Sequence, residues 1–97
     1  MEQIEFNYPA KRKVPKRAHV GVVGSGDLEV LLEPSEGEVA HVFIRTSVDG
    51  FCDTWKSVLD RFFTKYDGAV RIQINDAGAT PGSVQLRLEQ AVKVSER

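Results

Sequence analysis

The sequence is poor in the side chains from which most enzyme sites and metal centres are built. Its 97 residues include one cysteine, two histidines, one tryptophan and one methionine. The lone cysteine, Cys52, excludes an internal disulfide framework and suits a reducing compartment. Together with His19 and His41 it gives no metal-ligand spacing. Ser25 sits in Val23-Gly24-Ser25-Gly26, without the G-x-S-x-G pattern of a nucleophile elbow. The run Val20–Gly26 is glycine-rich like a dinucleotide loop, but it leads into a strand, so no helix N-terminus is offered to a phosphate. There is no stretch of about 18 apolar residues to cross a bilayer. The N-terminal MEQIEFNYPAKRK lacks the apolar centre of a signal peptide. The expectation is a cytoplasmic, non-catalytic chain with no membrane partner.

What is present is an ordinary globular composition, 41% hydrophobic and 28% charged. At this length it makes one domain, able to bury somewhat over ~60% of the unfolded chain's surface. The net charge is −1, but unevenly placed. Residues 1–17 hold Lys11, Arg12, Lys13, Lys16 and Arg17 against Glu2 and Glu5. This segment is therefore basic and the body that follows acidic. The division expected is a basic N-terminal arm and linker, 1–17, and a folded unit, 18–97. Two readings of the arm stay open. It is a solvated terminus, or, since Ile4, Phe6 and Tyr8 alternate, an edge strand or a grip on a partner. A short basic run without recognition motifs does not support a nucleic-acid partner.

The centre of the pattern is Ala18–Pro34, AHVGVVGSGDLEVLLEP. Two apolar runs, His19–Val23 and Leu28–Leu32, flank Gly24-Ser25-Gly26-Asp27, which reads as a β-hairpin. Glycine on both sides of Ser25 frees the backbone to take positive φ, and the serine hydroxyl is placed at an uncrowded tip. Such a tip supplies no buried general base. His19 is too far along the extended strand to bond Ser25 directly, and a dyad would need His41 from a neighbouring strand. In the hairpin Leu28, Val30 and Leu32 share one face, opposite Glu29, Leu31 and Glu33. Leu31 breaks the polar side and calls for a covering element.

Val39–Val48 alternates as a third strand, and the short spacing predicts an antiparallel meander. From Phe51 the period changes. Phe51, Cys52, Trp55, Val58, Leu59, Phe62, Phe63 and Tyr66 fall at three- and four-residue steps, the stripe of an amphipathic helix. Cys52 on that stripe is expected to be a buried, inert thiol, and Trp55 and the phenylalanines core residues. Asp67-Gly68 ends the helix, with Gly68 expected as a left-handed cap. Val70, Ile72 and Ile74 alternate as a fourth strand. Thr80 and Pro81 then read as N-cap and first residue of a second helix. The order βββαβα predicts an α+β two-layer sandwich, with a mainly antiparallel sheet and two helices packed on one face.

The hairpin, with Ser25 inside Gly24-Ser25-Gly26-Asp27, resembles the acyl carrier (delta) subunits of malonate decarboxylases. The likeness runs from about Ala18 to the C-terminus and includes the order of elements. The citrate lyase acyl carrier (gamma) subunits are a more distant match, sharing the serine-glycine-aspartate turn. The resemblance implies that Ser25 carries phosphoribosyl-dephospho-CoA through a phosphodiester bond, and that the arm's thiol holds acetyl or malonyl. It implies as partners the transferase and decarboxylase subunits, a malonyl transferase, and a holo-carrier synthase that installs the arm. Gly24 and Gly26 would clear space for the arm, and Asp27 would close the turn or help the synthase place a metal ion. The competing functions are a citrate lyase carrier, and a small nucleic-acid-binding module using the basic arm.

Overall fold

The structure, a computed structural model, describes residues 1–24 and 26–97. Its elements are β1 (Glu2–Pro9), β2 (Arg12–Lys13), β3 (Ala18–Gly21), β4 (Leu28–Pro34), β5 (Val39–Thr46), α1 (Cys52–Lys65), β6 (Gly68–Asp76) and α2 (Pro81–Ser95). The main sheet runs in the order β1-β5-β6-β4-β3, and β2 adds a short parallel pairing to the start of β6. The β1–β5, β3–β4 and β4–β6 pairings are antiparallel; β5–β6 is parallel. The α+β class and the mainly antiparallel sheet agree with the sequence reading.

The meander does not form. The hairpin β3–β4 is followed by β5 at a distance, and β6 lies between β4 and β5. A parallel pair needs a crossover of a dozen or more residues, which α1 and its connections supply after β5. β6 also has the strongest reason to be central. Val70, Ile72 and Ile74 are fully buried, while Arg71 and Gln73 face outward. Placed centrally, β6 sets Ile72 beside Val42 and Leu32, and Ile74 beside Ile44 and Val30. This one-sided apolar surface is closed by Trp55 and Leu59 of α1 and by Val84, Leu88 and Ala91 of α2. The opposite face carries His19, Glu29, Gln73 and Asn75, with Leu31 and Phe43 partly exposed among them. Arg71 lies over the Phe43 ring, 5.8 Å from its centroid, so the two apolar misfits sit in a polar field.

Residues 1–17, set apart in the sequence by their charge, are laid along this framework. β1 pairs with β5 from Glu2↔Thr46 to Pro9↔Val39. Tyr8 stacks on Phe63 of α1 with centroids 4.3 Å apart, and its hydroxyl donates to Asp60 at 2.7 Å. Ala10 and Val14 are buried in the core. Within the basic run, Arg12 bonds Asp67 at 3.0 Å and Glu96 at 2.8 Å.

Helix α2 starts as expected: Thr80 is the N-cap, its hydroxyl accepts from the Ser83 N–H at 3.1 Å, and Pro81 opens the helix. Three local expectations are corrected. Cys52 is exposed, because the buried stripe of α1 begins one turn later at Trp55; Phe51 at the N-cap is 49% exposed. The phenylalanines Phe62 and Phe63 are partly buried against the core. Gly68 is no left-handed cap, since α1 ends on Tyr66 in an extended conformation and Gly68 opens β6. Glycine is needed there for space: a Cβ would run into the Tyr66 hydroxyl and the Val14 side chain.

Candidate functional site

The corner between β3 and β4 is built by backbone constraints on both sides. β3 stops at Gly21, where φ is +77° and a Cβ would collide with the Leu28 carbonyl oxygen. The first strand is therefore shorter than the apolar run His19–Val23 implied. Val22 and Val23 leave the ladder and stand exposed at 66% and 57%. Gly26 has φ +75°. The Asp27 N–H donates to the Gly24 carbonyl at 3.0 Å. Ser25, the residue singled out from the sequence, lies outside the described residues.

The turn is fastened to the loop between β6 and α2. The Gly26 N–H donates to the Ala77 carbonyl at 2.8 Å, and the Ala77 N–H donates to the Asp27 carbonyl at 2.9 Å. The Asp27 side chain fastens it to α2 itself. Its Oδ2 accepts from Arg87 Nη2 at 2.8 Å, and Oδ1 accepts from Arg87 Nε at 3.3 Å and from the Leu28 N–H at 2.7 Å. The Arg87 hydrogen bond, and after it that of the Leu28 N–H, hold the Asp27 carboxyl below the usual carboxylate range. Asp27 in turn raises the Arg87 guanidinium above its ordinary value. Around Gly24 and Gly26, by contrast, no described heavy atom beyond their chain neighbours lies within 4 Å of where a Cβ would be. The corner is thus tied down on its inner side and open on its outer side.

Sequence reasoning placed Gly24, Gly26 and Asp27 at this corner but did not reach Arg87. Sixty positions separate Asp27 from Arg87, and one arginine on a helix carries no local mark of its partner. The histidines are occupied elsewhere. His19 Nε2 lies 2.8 Å from Glu29 Oε2, whose other oxygen accepts from Asn75 at 2.9 Å. His41 Nδ1 lies 2.6 Å from Asn7 Oδ1 across β1 and β5. Among the described residues, no three His, Cys, Asp or Glu side chains gather closely enough to hold a metal ion. No described helix is long and apolar enough to cross a membrane.

The geometry defines a two-layer α+β domain with an anchored, glycine-flanked corner. The comparisons sharpen that class. Residues 15–95 match the family model described as malonate decarboxylase delta subunit (MdcD). The malonate decarboxylase acyl carrier protein of Azotobacter vinelandii is 46% identical over 94 residues, covering 96% of this chain and 95% of that protein. That of Pseudomonas syringae pathovar tomato is 50% identical over 94 residues, covering 93% and 92%. A chain in the crystal structure of a Pseudomonas malonate decarboxylase hetero-tetramer in complex with malonate superposes with a TM-score of 0.93. Its identity is 45%, with 97% of this chain and 98% of that one covered. The chain belongs to the malonate decarboxylase delta subunit family, whose members are acyl carrier components rather than catalytic ones.

Proposed function

We propose that this chain is the acyl carrier subunit of a malonate decarboxylase, and that Ser25 carries phosphoribosyl-dephospho-CoA through a phosphodiester bond. When bound, the group supplies a thiol that holds acetyl or malonyl as a thioester. The chain's own residues supply a place to attach it. The observation that carries the reading is the asymmetry of the corner: open space around Gly24 and Gly26, and fixed backbone behind them at Ala77, Asp27 and Arg87. A modifying enzyme needs the first to close around a hydroxyl, and a tether needs the second to keep its root in place. Arg87 keeps a positive charge beside a corner that would otherwise hold the Asp27 carboxylate and a phosphodiester anion together. The group fits these residues.

The base that activates the hydroxyl belongs to the holo-carrier synthase in this reading. The other partners are the transferase and decarboxylase subunits, including a malonyl transferase. Tethering raises the thioester's effective concentration at each of them. We assign the carrier unit to residues 18–97, with the basic segment 1–17 packed onto it through β1 and β2, and place the protein in the cytoplasm.

Production together with the holo-carrier synthase tests the assignment. Intact mass rises on modification, and the gain maps to the peptide containing Ser25. Ser25→Ala folds, gains no mass and supports no malonate turnover with its partner subunits. Turnover by that variant would refute Ser25 as the site.

A further inference from the structure

The loops that follow β3, β5 and β6 meet at one end of the sheet, where Leu28, Asp76 and Thr46 are neighbours in register. Beside the corner at this end lies an apolar pocket of about 180 Å³. Val48, Phe51, Trp55, Val58, Pro81 and Val84 form its walls. Thr46 and Asp76, both buried, form a polar floor. The pocket and the corner share one segment: Ala77 bonds the corner through both its N–H and its carbonyl, while Asp76, Gly78 and Ala79 line the pocket.

We infer that this pocket receives the acetyl-thioester end of the arm and turns away the malonyl form; the inference rests on the reading that Ser25 bears the arm. Size is the first argument. At about 30 Å³ per water the space equals roughly six waters, enough for an acetyl group and a few atoms of thioether chain. A whole drug-sized ligand needs a pocket of about 300 Å³ or more. Tethering is the second, because a chain rooted at the neighbouring corner meets this pocket without diffusing to it. The floor is the third. Asp76 Oδ2 accepts from Thr46 Oγ1 at 2.8 Å and from the Gly78 N–H at 3.1 Å, and Oδ1 accepts from the Ala79 N–H at 3.0 Å. These donors are already spent on the Asp76 carboxylate. The malonyl carboxylate would be desolvated beside a like charge, with none of these three donors free to pair with it. A neutral acetyl group meets no such penalty, and each methylene-sized group it buries favours the pocket about fourfold. The acetyl carrier is thereby shielded while it waits, and the malonyl carrier is left free for its partner.

Trp55 is the chain's sole tryptophan and a pocket wall, so its emission and its indole N–H resonance report occupancy. The measurement compares unmodified, free-thiol, acetyl and malonyl carriers, each verified by intact mass. Acetylation should move both Trp55 signals, and malonylation should leave them as in the free-thiol carrier. Hydroxylamine should cleave the acetyl thioester about fifteenfold more slowly than acetyl-pantetheine, as burial of two such groups implies. Ala79→Leu and, independently, Thr54→Phe narrow the pocket and should abolish both effects without changing the mass gain. A full mass gain with unmoved Trp55 signals, or equal shifts for acetyl and malonyl, overturns the pocket assignment alone. Absence of any mass gain overturns the Ser25 reading and this one with it.

Discussion

Replacing Gly21 by alanine tests whether the corner is held by the backbone geometry described above. A left-handed conformation costs an L-residue roughly 1–2 kcal/mol, and Gly21 has φ +77°. The new Cβ would also overlap the Leu28 carbonyl oxygen, a main-chain atom in the strand opposite, which cannot rotate aside. Such overpacking adds about 1–3 kcal/mol. The sum, roughly 2–5 kcal/mol, is a large part of the 5–15 kcal/mol that holds a typical domain together. At this size it lowers Tm by on the order of 10–30 °C. Two neighbouring glycines separate the contributions. Gly26 has φ +75° but open surroundings, so Gly26→Ala should lose only the conformational part, about 1–2 kcal/mol. Gly24 has neither a positive φ nor a neighbour within 4 Å, so Gly24→Ala should hold stability or raise it by up to about 1 kcal/mol. Thermal unfolding followed by circular dichroism gives the three values. Equal losses for Gly24→Ala and Gly21→Ala, or no loss at Gly21, would refute the account. Arm installation measured on the stable Gly24→Ala carrier then reads clearance at the corner separately from folding.

Further outcomes follow from the ionisable groups. Arg87→Gln should release Asp27, return its carboxyl pKa upward into the ordinary range, and speed amide exchange at Gly26 and Ala77, all measurable by NMR. In the intact chain the lowered Asp27 pKa lends stability that is complete above about pH 4, the unfolded value, and lost as pH falls through the folded one. The Tyr66 hydroxyl is buried with no well-formed hydrogen bond among the described residues; burial, then Glu96, pushes it up to about 12 against the lowering influence of Arg12 and Ser95. Its contribution to alkaline stability is therefore present below pH about 10 and disappears as pH rises toward the folded value. Tyr66→Phe should flatten that alkaline loss in a pH series of melts. It should also stabilise the protein at neutral pH by about 1 kcal/mol, because an unsatisfied hydroxyl is removed.

The elements were legible in the sequence where one face is apolar and the other polar. The alternation in β4, β5 and β6 and the Thr80-Pro81 helix start are of this kind. The strand order was not, because local spacing favours β4 against β5, whereas the fully buried Val70, Ile72 and Ile74 put β6 between them. The ends of elements failed for a similar reason. Val22 and Val23 have strand-forming side chains, but Gly21 turns the chain away before they can pair. Cys52 continues a helical period that has no core beneath it. At the site, the glycines and Asp27 could be found in the sequence, and the resemblance pointed to Ser25. Arg87 and the pocket floor of Thr46 and Asp76 arise only when distant segments meet.

The outermost strands bear on how such a chain behaves in a crowded cell. β3 is four residues long and ends in a bend, which leaves little ladder for another molecule to extend. β1 is eight residues long, but Gln3, Glu5, Asn7 and Pro9 project from it into solvent. Neither border invites a second copy to zip alongside.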